Sequence, residues 1–540
     1  MIKLKFTLGV VTALACIAPN FLLSAQSPKP RIHLQDDQPV TLRFFGSKDA
    51  DLFTQELQAS FDGVLKEDFY PSARDGFPAG FVSASAPGRG WAGTMWSRDG
   101  GTFMRELLMR GYYQHASLLA ECLMDQVRKN PDGFYTFPRY FKAAQPGWGT
   151  EFDGTGAIII ALTDLWERLP AGNATRQHIQ QFLFQDASPV NYFQFALQKQ
   201  PLISGTGEFG CGMAISGECY NVVQNGLVML SLRAVARMAD EIGDHAKASE
   251  CRRLADRVSD AMEEYLVGED GSWIWAVDTT TLKPDPNVLN NPVNLGTGSL
   301  NGVAAMSADV LGLLPLQSSW LGIEHSENTF SDLYETPLRK KEFTRYGIWT
   351  QTDKLADGMG SSPSYGQGYA TQVMLLFDRL AMAGKALHWL AEATYSPVPG
   401  YTLHRDSRYY FYERTYSPDA VGKITLGEGC GALNLVNVSE PLKISRLLLG
   451  VDDLDPATLL LVPRVPPQWQ GVEAENWPIL TSRGIVRAHI RFERRGTGAE
   501  LTLQLATGEQ IDHLRVRMPS RDGYTWHEEQ RVTSMHLVTQ

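Results

Sequence analysis

The chain has 540 residues, 43% of them hydrophobic and 20% charged, and carries a formal net charge of −11. This length buries a large core and has room for two or three domains, and the composition is that of a folded globular chain rather than a disordered one. The acidic balance leaves no electrostatic footprint for a phosphate backbone, so nucleic acid is excluded as an expected partner.

In chain order, residues 1–25 come first. Lys3 and Lys5 precede an apolar run from Phe6 to Ala18 and a small-residue exit at Leu23-Ser24-Ala25, the pattern of a secretory signal peptide. The expected location is periplasmic or extracellular. Lipid anchoring through Cys16 is a lesser alternative, because Leu14 sits one place late for a lipobox. No later stretch reaches the ~18 uninterrupted apolar residues of a membrane-spanning helix. Residues 26–50 read as an extension that wraps the body or adds a small strand. Cys122, Cys211, Cys219, Cys251 and Cys430 follow the cleavage point. Their odd number and wide spacing allow one bridge, such as Cys211 to Cys219, but give neither a disulfide framework nor a metal knuckle. With no H-E-x-x-H and no close His pair on a helix face, no metal and no cofactor is expected.

Trp96-Ser97-Arg98-Asp99-Gly100-Gly101 is the most telling segment. It sets an aromatic plate, a bidentate donor and a carboxylate at a loop-to-helix junction. Such a set stacks on the C–H face of a sugar and grips its hydroxyls. The same residues also describe an Asp cap on the following helix with Trp in the core. Helical periodicity then predicts helices over residues 103–126, 156–168 (apolar nearly all round, hence an inner helix), 221–242 and 245–265, with Gly243-Asp244 as the stop between the last two. Further helices are expected over 299–314, 366–384, 386–394 and 432–449. Polar, aromatic loops lie between them at about 94–102, 143–154, 203–220, 272–302, 346–367 and 400–431. Loops that repeatedly feed apolar helices fit a ring of helical hairpins with the functional loops at one end. After Pro456 the period changes to two, as in Ile485 to Phe492 and Leu501 to Leu505. The expected organisation is a signal peptide over 1–25, an extension over 26–50, a helical barrel over 51–456 and a β-sandwich-like module over 457–540.

With this texture and with Trp96, Arg98 and Asp99 together, the chain resembles the six-hairpin glycosidases: glucoamylases, processing α-glucosidases and α-rhamnosidase-like enzymes. The resemblance covers roughly residues 90–470. It implies a mainly α fold, an (α/α)6 six-hairpin barrel with a small C-terminal β-module, acting on an oligosaccharide or glycoside. In that superfamily an aromatic-x-Arg-Asp loop holds the sugar whose bond is cut, matched here by Trp96, Arg98 and Asp99. A second early loop rich in Gly, Trp and acids is matched by Gly147 to Gly154, with Trp148, Glu151 and Asp153.

Hydrolysis of a glycosidic bond needs one protonated and one ionised carboxyl group. The resemblance puts the acid in the loop before the middle hairpin, where Glu208 lies between Gly207 and Phe209. Small neighbours admit a ligand, and the aromatic ring raises a carboxyl pKa. Glu218 is the rival, with Glu151 and Asp153 behind it; a Glu just ahead of a helix also simply complements the dipole, with Asn221 as the cap. The second carboxylate of the processing-glucosidase type sits in the last helical loop, and Glu413 in Tyr412 to Pro418 looks like it. Arg414 and Thr415 depart from the usual Asn there, and Arg414 would either pair with Glu413 structurally or hold its pKa down. Glu428, flanked by Gly427 and Gly429, is the rival base.

Trp273, Trp275, Asn290, Asn291, Asn294, Tyr346, Trp349, Asp357 and Tyr365 are weaker candidates for further sugar contacts, and Trp469 and Trp477 are expected to pack on the barrel. The leading expectation is an exported, inverting, exo-acting glycoside hydrolase. The alternatives are a polysaccharide lyase or unsaturated uronyl hydrolase built on His404, Arg405, Arg408, Tyr409 and Tyr410, and a non-catalytic carbohydrate-binding protein.

Overall fold

The computed structural model describes residues 39–88, 91–142, 145–146, 152–205, 219–269, 271, 273–274, 276–283, 325, 328, 343–344, 347–348, 368, 371–372, 374–395, 411–418, 424–521 and 523–540. Among these, the helices in chain order are α1 (Lys48–Gly63), α2 (Ser97–Met109), α3 (Tyr113–Asp125), α4 (Phe152–Arg168), α5 (Ala174–Phe184), α6 (Pro189–Leu197), α7 (Val222–Glu241), α8 (His245–Tyr265), α9 (Leu380–Tyr395) and α10 (Leu435–Leu449).

The helices fall into two layers that their sequences foretell. Every residue of α4 but Glu167 is buried, and α2, α7 and α10 are almost as fully enclosed. By contrast α8 buries one stripe, Ala248, Cys251, Leu254, Ala255, Val258, Ala261 and Met262, the spacing of an amphipathic helix with one face to water. The enclosed helices pack side by side in the order α10, α2, α4, α7, and α3, α5 and α8 cover α2, α4 and α7 from outside. Each buried Ile, Leu or Phe of such a helix contributes roughly 1.5–3 kcal/mol. Close approach is enforced by glycine. A Cβ on Gly101 would lie 2.8 Å from the Ile158 amide nitrogen, and one on Gly156 would lie 2.9 Å from Leu227, so α2 meets α4, and α4 meets α7, backbone to backbone.

These pairs form an arc of inner and outer helices. The closed six-hairpin ring expected from the sequence is not found among the described residues, since the segment from 284 to 324, with the helix expected over 299–314, lies outside them. Several boundaries differ from expectation. The helix expected over 103–126 is two, because Gly111 takes a φ of +80° against the Arg487 guanidinium and turns the chain between α2 and α3. The break expected near Gly384 lies instead at Phe377–Asp378, where Asp378 has a φ of +56°. Gly384 is inside α9, at the spot where the Gln468 side chain crosses it. Helices α1, α5 and α6 carried no expectation.

The strands are β1 (Thr41–Phe45), β2 (Thr94–Trp96), β3 (Arg128–Lys129), β4 (Tyr135–Thr136), β5 (Tyr140–Lys142), β6 (Gln145–Pro146), β7 (Cys219–Asn221), β8 (Ala276–Asp278), β9 (Phe343–Thr344), β10 (Gly347–Ile348), β11 (Tyr412–Pro418), β12 (Ile424–Ala432), β13 (Val451–Asp452), β14 (Thr458–Leu461), β15 (Gly471–Thr481), β16 (Gly484–Arg495), β17 (Gly498–Leu505), β18 (Ile511–Ser520), β19 (Gly523–Val532) and β20 (Ser534–Val538). The last eight build two sheets, ordered β1-β15-β16-β17-β20 and β13-β14-β18-β19. In β16 buried Val486, Ala488, Ile490 and Phe492 alternate with partly exposed residues, the period-two pattern of the sequence. Strand β1 pairs antiparallel with β15, Arg43 opposite Glu473, so the start of the described chain completes the C-terminal sheet. Trp469 and Trp477 are both buried.

Candidate active site

Each inner helix begins at the same end of the arc, and short strands lead into three of them: β2 into α2, β7 into α7 and β12 into α10. The orphan N–H groups and positive dipole ends of these helices therefore gather there, which favours carboxylates in their first turns. Two are present, Asp99 in α2 and Asp153 in α4.

The sequence expected residues 94–102 and 143–154 to be loops. Instead α2 starts at Ser97, with Trp96 at the N-cap position and Asp99 inside the first turn, and α4 starts at Phe152. The Trp96 side chain makes no cap bond to the helix, whose start is held by the Ser97 amide donating to the Arg139 carbonyl at 3.1 Å and by the Ser97 hydroxyl donating to the Pro138 carbonyl. A Cβ on Gly154 would lie 2.8 Å from Ser97 Cβ and 2.9 Å from the Arg98 nitrogen. That contact of two helix N-termini brings distant residues together. Arg98 Nη2 lies 3.5 Å from Asp99 Oδ1, and Arg98 Nη1 lies 3.5 Å from Asp153 Oδ2, with Arg98 5%, Asp99 7% and Asp153 4% exposed. The second Asp153 oxygen accepts the Gly154 amide at 2.8 Å.

This is a guanidinium clamped between two carboxylates in a nearly dry niche. At 3.5 Å the contacts are longer than the 2.7–2.9 Å of a charge-assisted hydrogen bond, and the three groups hold each other's charge.

The aromatic surround differs from expectation. Trp96 is half-buried; Arg139 stands 5.2 Å from its ring centroid, Tyr140 packs at 5.2 Å and Trp91 meets it edge-on at 5.3 Å. Sequence reasoning named Trp96 and missed Trp91, Arg139 and Tyr140. The signal for Trp91 was present in the sequence, a Trp set in the glycine-rich stretch Gly88 to Gly93 just ahead of β2.

Farther round the same end, Asn221 caps α7 by accepting the Gln224 amide at 2.8 Å, the role expected of it. The Gln224 side chain donates to the Ile203 carbonyl at 2.6 Å, and Asn225 accepts the Ile203 amide at 2.8 Å. These amides pin residues 203–205, the root of the segment that carries Glu208. A cavity of about 420 Å³ opens beside them, lined by Phe152, Tyr192, Ser204 and Gly205 among others. Cys219 is disulfide-bonded, while Cys122 and Cys251 are buried and free.

Glu413 and Glu428 stand on one antiparallel hairpin, not in the loop expected over 400–431. Arg414 pairs with Glu428 and Glu413 with Gly431, with a register shift between Glu413 and Arg414. Strand β12 ends at Ala432, directly ahead of α10. The two rival bases are therefore backbone neighbours. Trp148, Glu151, Glu208, Cys211, Glu218, Trp275, Asn290, Asn291, Asn294, Tyr346, Trp349, Asp357, Tyr365, His404, Arg405, Arg408, Tyr409 and Tyr410 lie outside the described residues. Trp273 is buried and packs edge-on against His325 at 5.2 Å. A group of metal-ligand type, Glu473, Glu475 and His489, lies on the C-terminal sheet, where Glu473 is also held by Arg43 and Arg491.

The sequence matches no family model and no curated protein. Solved structures do match. Residues covering 94% of the chain superpose on an α-L-rhamnosidase from Aspergillus terreus with a TM-score of 0.55 at 10% identity. An α-L-rhamnosidase from Dictyoglumus thermophilum gives 0.56 at 12% identity over 93%, and one from Streptomyces avermitilis complexed with L-rhamnose gives 0.53 at 15% identity over 93%. The fold is shared with these enzymes. The resemblance to the six-hairpin glycosidases thus holds at the level of fold. The chain spans 50%, 50% and 42% of the length of these three proteins. No helix of the described residues is long and apolar enough to cross a membrane.

Proposed function

We propose that this protein is a glycoside hydrolase that works at the end of the arc where the inner helices begin. The observation that carries the reading is the Arg98 guanidinium set between Asp99 and Asp153 at two touching helix N-termini. A sugar offers adjacent hydroxyls that both donate and accept. Two fixed carboxylates with a cation between them match that pattern in a site from which water is largely excluded. The fold shared with α-L-rhamnosidases supports the same reading.

In the proposed mechanism Trp96, Arg98, Asp99 and Asp153 hold the terminal, non-reducing sugar, with Trp148, Glu151, Trp349 and Tyr365 as further contacts. Glu208 is the general acid that protonates the leaving oxygen, and Glu413 is the base that activates water on the opposite face, giving inversion. Gly205, the last described residue before the Glu208 segment, and β12, which leads from Glu428 into α10, both belong to this end. The substrate class is a neutral hexoside or deoxyhexoside, and the protein is exported through its first 25 residues.

The test is a panel of aryl α-L-rhamnosides, α-D-mannosides and α-D-glucosides with the matching disaccharides, the anomer of the first product being read by NMR. Turnover of at least one substrate with inversion is expected. Glu208→Gln and Glu413→Gln should each lower kcat by at least about 10³-fold while the protein still binds product, in line with loss of an essential acid or base. Absence of turnover across the panel, or full turnover by both variants, overturns the proposal.

A further inference from the structure

Trp91, Tyr524, Trp526 and Val538 are the large apolar side chains left exposed among the described residues. Tyr524 and Trp526 stand on β19 with the guanidiniums of Arg517 and Arg515 at 4.3 and 5.1 Å from their ring centroids, so one face of each ring is already taken by a cation. Trp91 is different. Its indole is 43% exposed and meets Trp96 edge-on, at 5.3 Å and 85°. Trp96 is two residues from Arg98, whose niche is nearly closed to water.

We propose that Trp91 is the platform for the leaving group, stacking on a ring with an apolar face that follows the sugar held by Arg98, Asp99 and Asp153. This rests on the hydrolase reading of that site. The chemistry is shared by a second pyranose and by an aryl aglycone, since both present C–H groups or a π face to an indole.

Three observations support the assignment. The first is depth: burial falls from 5% exposure at Arg98, through half-buried Trp96, to 43% at Trp91, so the niche takes the end of a substrate and Trp91 stands where the rest emerges. The second is that Trp96 has protein partners on several sides, Arg139, Tyr140 and Trp91 itself, whereas the Trp91 indole keeps open surface.

The third is rigidity. The Thr94 amide donates to the Trp91 carbonyl at 3.0 Å, closing a turn in which Gly93 has a φ of +73°, and the Gly93 amide donates to Ser83 Oγ at 2.9 Å. Thr94 in turn accepts the Ala84 amide at 2.6 Å. A left-handed glycine at the third position of a tight turn is the feature of a type II turn. The indole is thus carried on backbone fixed before any ligand arrives, which reduces the ordering cost of binding.

The experiment compares the wild type with Trp91→Ala and Trp91→Phe on a methyl glycoside, an aryl glycoside and a disaccharide of the same sugar, with thermal unfolding as a folding control. Trp91→Ala should raise KM for the aryl glycoside or the disaccharide, relative to KM for the methyl glycoside, by roughly 3- to 10-fold, the range of one aromatic stacking contact. Trp91→Phe should recover most of that ratio. Which ringed substrate shifts more tells a sugar from an aryl leaving group. An unchanged ratio for both, or a loss that Phe does not recover, overturns the platform. If the wild type hydrolyses nothing, the hydrolase reading has failed separately. Calorimetric titration with the disaccharides then decides: weaker binding to Trp91→Ala supports the platform, and equal binding or none overturns it.

Discussion

The inner helices carry buried charge at two levels, and the two differ in the length of their ion-pair contacts. At their N-terminal end Arg98 touches Asp99 and Asp153 at 3.5 Å. Farther along α2 and α4, about two to four turns in, the shortest contacts are tighter: Arg105 to Asp164 at 2.7 Å, Arg110 to Glu106 at 2.7 Å and Arg168 to Asp453 at 2.8 Å. Arg110 also donates to the Leu442 carbonyl at 3.1 Å and to Ser445 Oγ at 2.6 Å in α10, and Arg446 reaches Glu106 at 3.2 Å. Burial pushes the Glu106 and Asp164 carboxyls up, yet the surrounding guanidiniums outweigh it and hold both below the usual carboxylate range. This lower level ties the helices to one another and, through Arg168 and Asp453, to the β-module. The upper level joins only the first turns of α2 and α4. Burial of charge alone does not distinguish the two levels, then; the length of the ion-pair contacts and their place along the helices do.

The largest effect is expected where the lower level is broken. Arg168→Met leaves the buried Asp453 carboxylate without its cation, which costs about 3–5 kcal/mol. A fall in the denaturation midpoint with KM unchanged would sharpen the contrast, and an unshifted midpoint would break it. Asp99→Asn should do the reverse, lowering kcat/KM by about 10²-fold, or ~2.7 kcal/mol, with little change in the midpoint. A collapse in stability without a kinetic phenotype would make the upper level structural too.

A third prediction concerns an acid outside both networks. Both Asp68 oxygens are buried without a hydrogen-bond partner, and burial, with Glu67 adding, pushes its carboxyl up to about 9 from 3.8. The folded state keeps this proton at pH values where the unfolded chain has released it. Stability should therefore fall as pH rises from about 4 to about 9. Glu167, raised by burial to about 7, adds a slope of the same sign over the acidic part of that window. Asp68→Asn should flatten the profile and gain about 1–3 kcal/mol at neutral pH, the order of a buried polar group's desolvation cost. Urea melts at several pH values provide the check, and a variant with the wild-type slope would refute it. The smallest effect is expected for Asn221→Ala, which removes the α7 cap at a cost of about 1 kcal/mol. A change in midpoint of that size would show that residues at the upper end also carry ordinary structural work.

Local pattern was legible wherever one rule dominated. The all-apolar run of α4, the stripe of α8, the Gly243-Asp244 stop and the alternation of β16 follow from side-chain periodicity, and Asn221 was readable as a cap. Boundaries failed where a neighbour distant in sequence decided them. Gly111 turns the chain under Arg487, Gly384 admits Gln468 inside a helix, and Tyr412–Pro418 pairs with Ile424–Ala432 although Gly and polar residues suggested a loop. The Arg98–Asp99 dipeptide was visible, but its third member Asp153 was read only as part of a second loop, and Trp91 was not read at all.

The amino-acid order by itself determined which helices are enclosed and which are half-wet, because burial period is a local property of the chain. It also determined the change to strands near the C-terminus. Only the tertiary structure decided that Arg98 stands between Asp99 and Asp153, that Trp96 is boxed in while Trp91 is open, and that Thr41–Phe45 completes a sheet formed some 430 residues later. Each of these depends on two backbones meeting without a Cβ between them or on strands pairing across the whole chain, and no short-range pattern encodes such contacts.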